Sequence, residues 1–158
     1  MKKILFIAIL TAVSFLNYAC ANTKADKKPA QTTDKVGEVV QMTNDMFITK
    51  VFDYTKGKEW NYLGQKPAII DFYADWCGPC RRVAPIMKDI AGEYADQIVV
   101  YKVDTDKEKE LAGAMGIQSL PTIVFIPLKG QPQIIMGAAD KATFKNAVEQ
   151  VLLGKPKK

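Results

Sequence analysis

Between Val36 and Leu153 the chain alternates short apolar runs with segments whose apolar residues recur every three or four positions. The apolar runs have the length and composition of β-strands, and the spaced segments have those of amphipathic helices. Strands are predicted at Val39–Met42, Pro67–Ala74, Ile98–Asp104, Thr122–Ile126 and Gln133–Met136. The last two are expected to form a hairpin across Lys129-Gly130.

Four helices are predicted between these strands. They begin near Thr43-Asn44, Cys77, Glu108 and Asp140, and the last runs to about Leu153. Thr43 and Asp140 are typical capping residues, and Pro85 inside the second helix predicts a kink. The order β, α, β, α, β, α, β, β, α predicts an α/β fold with a mixed central sheet and helices on both faces.

The first 21 residues have the pattern of an export signal. Lys2 and Lys3 precede an apolar run of 13 residues, Ile4–Leu16, which is shorter than the roughly 20 residues that a membrane-spanning helix needs. A buried core helix is the alternative, but the basic flank and the polar stretch that follows favour a signal. We therefore expect an exported protein of the periplasm or cell envelope.

Two ways of processing this leader remain open. Ala19-Cys20-Ala21 predicts cleavage after Ala21. Alternatively, Cys20 is lipidated as the first residue of a bacterial lipoprotein, although Asn17 stands where such signals usually have Leu. Only lipidation would attach the protein to a membrane. The expected organisation is a leader at 1–21, a polar flexible tether at 22–35, a domain at 36–153 and a basic tail at 154–158.

The charge balance does not indicate a nucleic-acid partner. The chain has 22 Lys and Arg against 17 Asp and Glu, and removal of the leader with Lys2 and Lys3 leaves a charge of about +3. A nucleic-acid surface needs basic residues clustered on one face. We expect a single soluble domain that is monomeric.

The segment Trp76-Cys77-Gly78-Pro79-Cys80 places two thiols three positions apart at a predicted helix start. A disulfide across two intervening residues removes little chain entropy, so a redox role explains the pair better than a structural one. The alternative is half of a zinc site, which needs four ligands. The chain has no His and only three Cys, one of them in the leader. We therefore expect no metal and no cofactor beyond a redox-active Cys77–Cys80 disulfide.

The pentapeptide at 76–80 is the active-site sequence of thioredoxins, and the chain resembles that family from about Val36 to Leu153. The resemblance implies the thioredoxin fold and disulfide exchange. Cys77 is expected to attack first, because a helix N-terminus favours the thiolate, and Cys80, expected to be more shielded, to resolve the mixed disulfide. Gly78 and Pro79 resemble the pair in reducing thioredoxins, and Trp76 is expected in the docking surface.

Asp71 lies within the apolar strand Ile69-Ile70-Asp71-Phe72-Tyr73. A carboxyl buried there is expected to have a raised pKa, unless it lies at the strand edge and faces solvent. The resemblance implies that Asp71 exchanges a proton with Cys80. Lys102 matches the family lysine that approaches this Asp, with a solvated strand lysine as the alternative.

Pro121 precedes a strand, and the resemblance implies a cis peptide bond facing the dithiol; a trans proline opening the strand is the alternative. The backbone of Leu120 is expected to pair with a bound peptide, although Leu is not the usual residue there. Gly137 matches a family glycine near the docking groove and could equally serve a strand-end turn. Tyr73 and the connector at 56–66 depart from the family pattern.

The leading hypothesis is an exported thioredoxin that reduces disulfide-containing proteins, with electrons supplied by a membrane thiol-relay donor. A second hypothesis is an envelope disulfide oxidase or isomerase that uses the same two cysteines. The third is a peptide-binding or chaperone module without turnover. The oxidising periplasm or cell envelope favours the oxidase or isomerase hypothesis, whereas the Gly78-Pro79 pair favours the reductase hypothesis.

Overall fold

The computed structural model describes residues 36–156. The predicted leader at 1–21, the predicted tether at 22–35 and the end of the predicted tail lie outside the described residues. The strands are β1 (Val39–Gln41), β2 (Ala68–Tyr73), β3 (Val99–Asp104), β4 (Thr122–Ile126) and β5 (Gln133–Met136). The helices are α1 (Asn44–Lys50), α2 (Gly78–Glu93), α3 (Lys109–Ala114) and α4 (Lys141–Ala147), which continues as a π-helical turn at Val148–Leu152. The predicted order of elements is confirmed.

The five strands form one sheet in the order β1-β3-β2-β4-β5. β1, β3 and β2 are parallel, whereas β4 is antiparallel to both β2 and β5. This is the mixed central sheet that the sequence predicts. Because β4 runs opposite to β2, Phe72 near the end of β2 pairs with Thr122 at the start of β4. The segment that follows β2 and the segment that precedes β4 therefore meet at the same end of the sheet.

Two apolar clusters cover the two faces of the sheet. Alternate residues of a strand point to opposite faces, so Ile69 packs with α2 and α4, and Ile70 packs with α1 and α3. Phe144 and Phe47 are fully buried in the first and second clusters. Truncating either ring to Ala is expected to cost about 3–5 kcal/mol. This core supports the end of the sheet at which β2 leads to the two cysteines.

The helix ends follow the predicted capping residues. Thr43 Oγ1 accepts a hydrogen bond from the Met46 N–H at 3.3 Å, and Asp140 Oδ1 accepts one from the Thr143 N–H at 2.8 Å. α2 continues on both sides of Pro85. Among residues 36–156, no helix is both long enough and apolar enough to cross a membrane.

The connector between α1 and β2 packs aromatic rings against the core. The rings of Trp60 and Phe52 lie 4.9 Å apart between centroids, and Tyr62 stacks on Trp60 at 6.5 Å. The Tyr62 hydroxyl donates a hydrogen bond to the Lys66 carbonyl at 2.7 Å. The connector is thus anchored to the α1 side of the sheet, which its polar composition alone does not predict.

Candidate active site

Cys77 and Cys80 form a disulfide, with their Cα atoms 5.3 Å apart. Cys77 is the N-cap of α2, and its Sγ accepts a hydrogen bond from the Cys80 N–H at 3.2 Å. Gly78 and Pro79 form the start of the helix, where the missing N–H of proline leaves no helical bond unmade. The Cys77 sulfur therefore lies where unpaired N–H groups and the helix dipole stabilise negative charge.

The exposure of the two cysteines does not distinguish them. Each residue is 3% exposed in the disulfide form, so the expectation that Cys80 is the more shielded is not met by these values. Both pack in one small apolar cluster with Ala74, against which Tyr73 and Leu120 also pack. The difference between the two sulfurs lies in the hydrogen bond at the helix N-terminus, which Cys77 accepts.

Asp71 is buried on β2, at 4% exposure, so the alternative of a solvent-facing carboxylate is wrong. Burial raises the pKa of Asp71 to about 7, and the positive charge of Lys102 acts in the opposite direction. Lys102 is the direct neighbour of Asp71 across the parallel pair of β2 and β3. Between residues 36 and 156, no group makes a hydrogen bond to Asp71 Oδ1, which leaves this oxygen able to accept a proton.

A cleft of about 530 Å³ connects Asp71 with the surface. Its charged lining residues besides Asp71 are Glu38, Lys88 and Lys102, and α2 contributes Pro85 to its wall. Such an opening allows water to reach a carboxyl that is otherwise enclosed by apolar residues. A proton taken up by Asp71 therefore has a route to solvent.

One end of the sheet, where β2 leads into Cys77, also carries Leu120, Pro121 and Gly137. The Leu120–Pro121 peptide bond is cis, in agreement with the sequence expectation. The Gly137 N–H donates a hydrogen bond to the Pro121 carbonyl at 2.8 Å, and Gly137 has φ 83°, a conformation that favours glycine. Leu120 is half-buried against the cysteine cluster. The structure thus brings these three residues to the same end of the sheet as Cys77 and Cys80.

Trp76 is 69% exposed, yet its ring is held in place. Its Nε1–H donates a hydrogen bond to Asp106 Oδ2 at 2.8 Å. With Thr105 and Leu120, among other residues, Trp76 lines a shallow cleft of about 230 Å³. Nothing in the sequence pairs Asp106 with Trp76, because Asp106 lies 30 positions further along the chain.

The loop after β3 carries Asp106 and is itself fixed. Asp104 Oδ1 accepts a hydrogen bond from the Asp106 N–H at 3.1 Å, and the Thr105 N–H donates to the Tyr73 carbonyl at 2.9 Å. Asp104 also pairs with Lys107 at 2.6 Å. An Asp whose side chain accepts the N–H two residues on is a local turn signal. Asp104-Thr105-Asp106 is therefore a local turn signal for this loop, although it does not predict the contact with Trp76.

The arrangement supports two-electron thiol–disulfide chemistry. It combines a reversible disulfide, a sulfur at a helix N-terminus and, on the strand leading to the dithiol, a carboxyl that titrates near neutrality. Within residues 36–156, no three His, Cys, Asp or Glu side chains are grouped so that they could hold a metal ion.

Comparisons with known proteins agree with this geometry. A family model described as Thioredoxin matches residues 38–150. The chain is 47% identical to a thioredoxin of Borreliella burgdorferi over 110 residues, which cover 70% of this chain and 94% of that protein. It is 41% identical to the chloroplastic thioredoxin M-type of Pisum sativum over 96 residues, 59% of this chain and 56% of that protein.

The fold is similar to that of a solved chloroplastic thioredoxin z, with a TM-score of 0.61 and 27% identity over 72% of this chain and 94% of that chain. Thioredoxins act on disulfide-containing proteins and use no cofactor, since the redox-active disulfide is part of the protein. The chain belongs to the thioredoxin family and is a protein-disulfide oxidoreductase that acts through Cys77 and Cys80.

Proposed function

We propose that this protein is exported and reduces disulfides of envelope proteins. In this proposal Cys77 is the attacking thiolate, Cys80 is the resolving thiol and Asp71 accepts the proton of Cys80. The observation that carries the mechanism is the N-cap position of Cys77, whose sulfur accepts the Cys80 N–H. A thiolate formed there is stabilised relative to one in water.

The reaction starts from the reduced dithiol. The Cys77 thiolate attacks one sulfur of a substrate disulfide; a mixed disulfide forms and the other substrate sulfur leaves as a thiolate that takes a proton. Cys80 then transfers its proton to Asp71 and attacks the Cys77 sulfur. This step releases the second substrate thiol and forms the Cys77–Cys80 disulfide seen in the structure. Two electrons pass from the protein to the substrate.

The carboxyl of Asp71 is suited to this proton transfer. Burial raises its pKa to about 7, so both its protonated and its ionised forms are populated near neutral pH. A general base is most effective when its pKa lies near the working pH. The cleft that reaches Asp71 supports return of the proton to water, which restores the carboxylate. The next cycle begins once the electron donor has reduced the Cys77–Cys80 disulfide.

Substrate docking is proposed for the edge around the dithiol. Trp76 offers an exposed ring, and Leu120, Pro121 and Gly137 contribute apolar side chains and backbone next to the disulfide. An extended peptide could lie along the backbone of Leu120 as an added strand. A peptide seated there would make backbone and apolar contacts that a small disulfide cannot make.

The proposal of export rests on the sequence of residues 1–21, with Lys2 and Lys3 ahead of the apolar run at 4–16. A reductant outside the cytoplasm needs electrons carried across the membrane, so we propose a membrane thiol-relay protein as the donor. The Gly78-Pro79 pair supports the reducing direction. The oxidising compartment is the argument for the opposite direction, an oxidase or isomerase.

The test uses the full chain with Cys80→Ser, expressed in a bacterial host and fractionated after thiol blocking. The variant should accumulate mixed disulfides through Cys77 with envelope proteins, and the matched Cys77→Ser variant should accumulate none. Recovery of adducts only with cytoplasmic proteins would contradict export. The mass of the mature protein distinguishes a chain starting at Asn22 from a lipidated chain starting at Cys20.

A further inference from the structure

Tyr73 is the last residue of β2, two positions after Asp71, so both side chains lie on the same face of the sheet. Its ring is half-buried and packs against the cluster formed by Ala74, Cys77 and Cys80. Tyr73 is therefore next to the dithiol and on the same face as the proposed proton acceptor. The thioredoxin resemblance assigns it no role.

The ammonium of Lys102 lies 5.5 Å from the centroid of the Tyr73 ring, within the roughly 6 Å reach of a cation–π interaction. Lys102 is also the cross-strand neighbour of Asp71, and its charge acts on that carboxyl. Within the described part of the chain, neither Lys102 nor any other residue makes a hydrogen bond to Asp71 Oδ1. The Lys102 ammonium therefore acts on both groups, and the contact that the structure defines for it is with the Tyr73 ring.

The Tyr73 ring is held in this position by β1 and β3. Its hydroxyl donates a hydrogen bond to Gln41 Oε1 at 3.2 Å, and Gln41 Nε2 donates to the Lys102 carbonyl at 3.3 Å. Gln41 and Lys102 are direct neighbours in the β1–β3 pair. The ring is therefore tied to the strand that carries the lysine, so the ring and the ammonium keep a defined relative position.

We propose that Tyr73 is a positioning residue that holds the Lys102 ammonium over its ring and so withholds it from Asp71. This inference rests on the proposed role of Asp71 as proton acceptor. An ammonium paired directly with Asp71 would favour the ionised carboxylate and weaken it as a base. The other charged groups lining the Asp71 cleft are Glu38 on the approach to β1 and Lys88 on α2.

The test is a carboxyl-carbon NMR titration of Asp71 in the oxidised full chain. Tyr73→Leu removes the ring and should lower the pKa of Asp71 by roughly half a unit, whereas Tyr73→Phe keeps the ring, loses only its hydrogen bond to Gln41 and should lower the pKa by less. In a Lys102→Met background, Tyr73→Leu should have no effect. An unchanged or raised pKa in Tyr73→Leu, or an equal effect in both backgrounds, would overturn the proposal.

A measurement on the unmodified protein covers the case in which Tyr73→Leu does not fold. The ε-methylene protons of Lys102 should show an upfield ring-current shift that Tyr73→Phe retains; its absence would overturn the proposal. Failure of the proposed function is a separate result. It would appear as wild-type turnover in Asp71→Asn, a readout that the Tyr73–Lys102 titrations do not use.

Discussion

The indole N–H of Trp76 donates a hydrogen bond to Asp106 across 30 positions of chain, and this fixes an exposed ring beside the disulfide. The bond crosses from the segment before α2 to the loop after β3. A ring that is held in place loses less side-chain entropy when a substrate docks on it. Asp106 is therefore expected to influence substrate binding rather than the chemistry of the sulfurs.

Asp106→Ala is predicted to lower kcat/KM for a disulfide-bonded protein roughly three- to tenfold, chiefly through KM, because it removes the charged acceptor of the Trp76 hydrogen bond. Reduction of a small aromatic disulfide should be nearly unchanged. Asp106→Asn keeps an acceptor oxygen and serves as the matched control. Equal losses on both substrates, or an unchanged KM in Asp106→Ala, would contradict the role given to this bond.

Asp71 makes stability depend on pH. Its pKa is raised from 3.8 to about 7 in the folded protein, so folding favours the protonated carboxyl. The free-energy cost of ionising Asp71 in the folded protein is absent below about pH 4. It grows between about pH 4 and pH 7 and is complete above pH 7. Asp71→Asn is predicted to exceed wild type in free energy of unfolding by roughly 4 kcal/mol at pH 8 and by little at pH 4.

The measurement is denaturant unfolding of the oxidised proteins across this pH range. Parallel stability curves for wild type and Asp71→Asn would show that the carboxyl has the same pKa in the folded and unfolded states.

Asp71→Asn is also predicted to slow resolution of the mixed disulfide roughly tenfold at neutral pH. This is less than the ~100-fold typical of a positioned base, because the cleft admits water that can take the Cys80 proton in its place. The wild-type rate should rise through pH 7, and the variant should lose that rise. Single-turnover kinetics of a preformed Cys77 mixed disulfide measures the step. If the resolution rate of Asp71→Asn still rises through pH 7, a group other than Asp71 is responsible for the rise.

Glu93 on α2 joins the helices on one face of the sheet through ion pairs with Lys141 and Lys145, each at 2.7 Å. Hydrogen bonds from Lys141 and Lys145 lower the pKa of Glu93 to about 2. The stabilisation is therefore present above about pH 4.5 and is lost as the pH falls toward 2.

Glu93→Gln is predicted to lower the melting temperature by a few degrees at most at pH 7, because exposed pairs contribute little and are screened by salt. Asp89→Asn, which removes only one contact to Lys141, should have a smaller effect. Thermal unfolding at low and high salt tests this prediction. A loss that is independent of salt would point to packing rather than charge.

Much of the fold follows from local patterns. The apolar runs of β2 and β4, the caps Thr43 and Asp140 and the cysteines at the start of α2 each depend on residues close in sequence. The burial of Asp71 was predictable for the same reason, since its neighbours on β2 are apolar. Local signals of this kind are sufficient to identify the elements and the dithiol.

Other features depend on how distant segments meet. The pairing of Trp76 with Asp106 requires the path of the β3–α3 loop, and the contact of Lys102 with Tyr73 requires the register of two strands. The equal burial of Cys77 and Cys80 depends on the packing of the whole cluster. The π-helical turn after Ala147 has no sequence signal that we recognise.

The direction of electron flow is the central claim, and the equilibrium of the Cys77–Cys80 pair with a glutathione buffer tests it most directly. The reduced and oxidised fractions of Cys77 and Cys80 are counted by thiol alkylation and peptide mass after equilibration of the full chain. A potential of about −270 mV, typical of thioredoxins, is the predicted result. A potential of about −120 mV, typical of a strong disulfide oxidant, would contradict the reducing role.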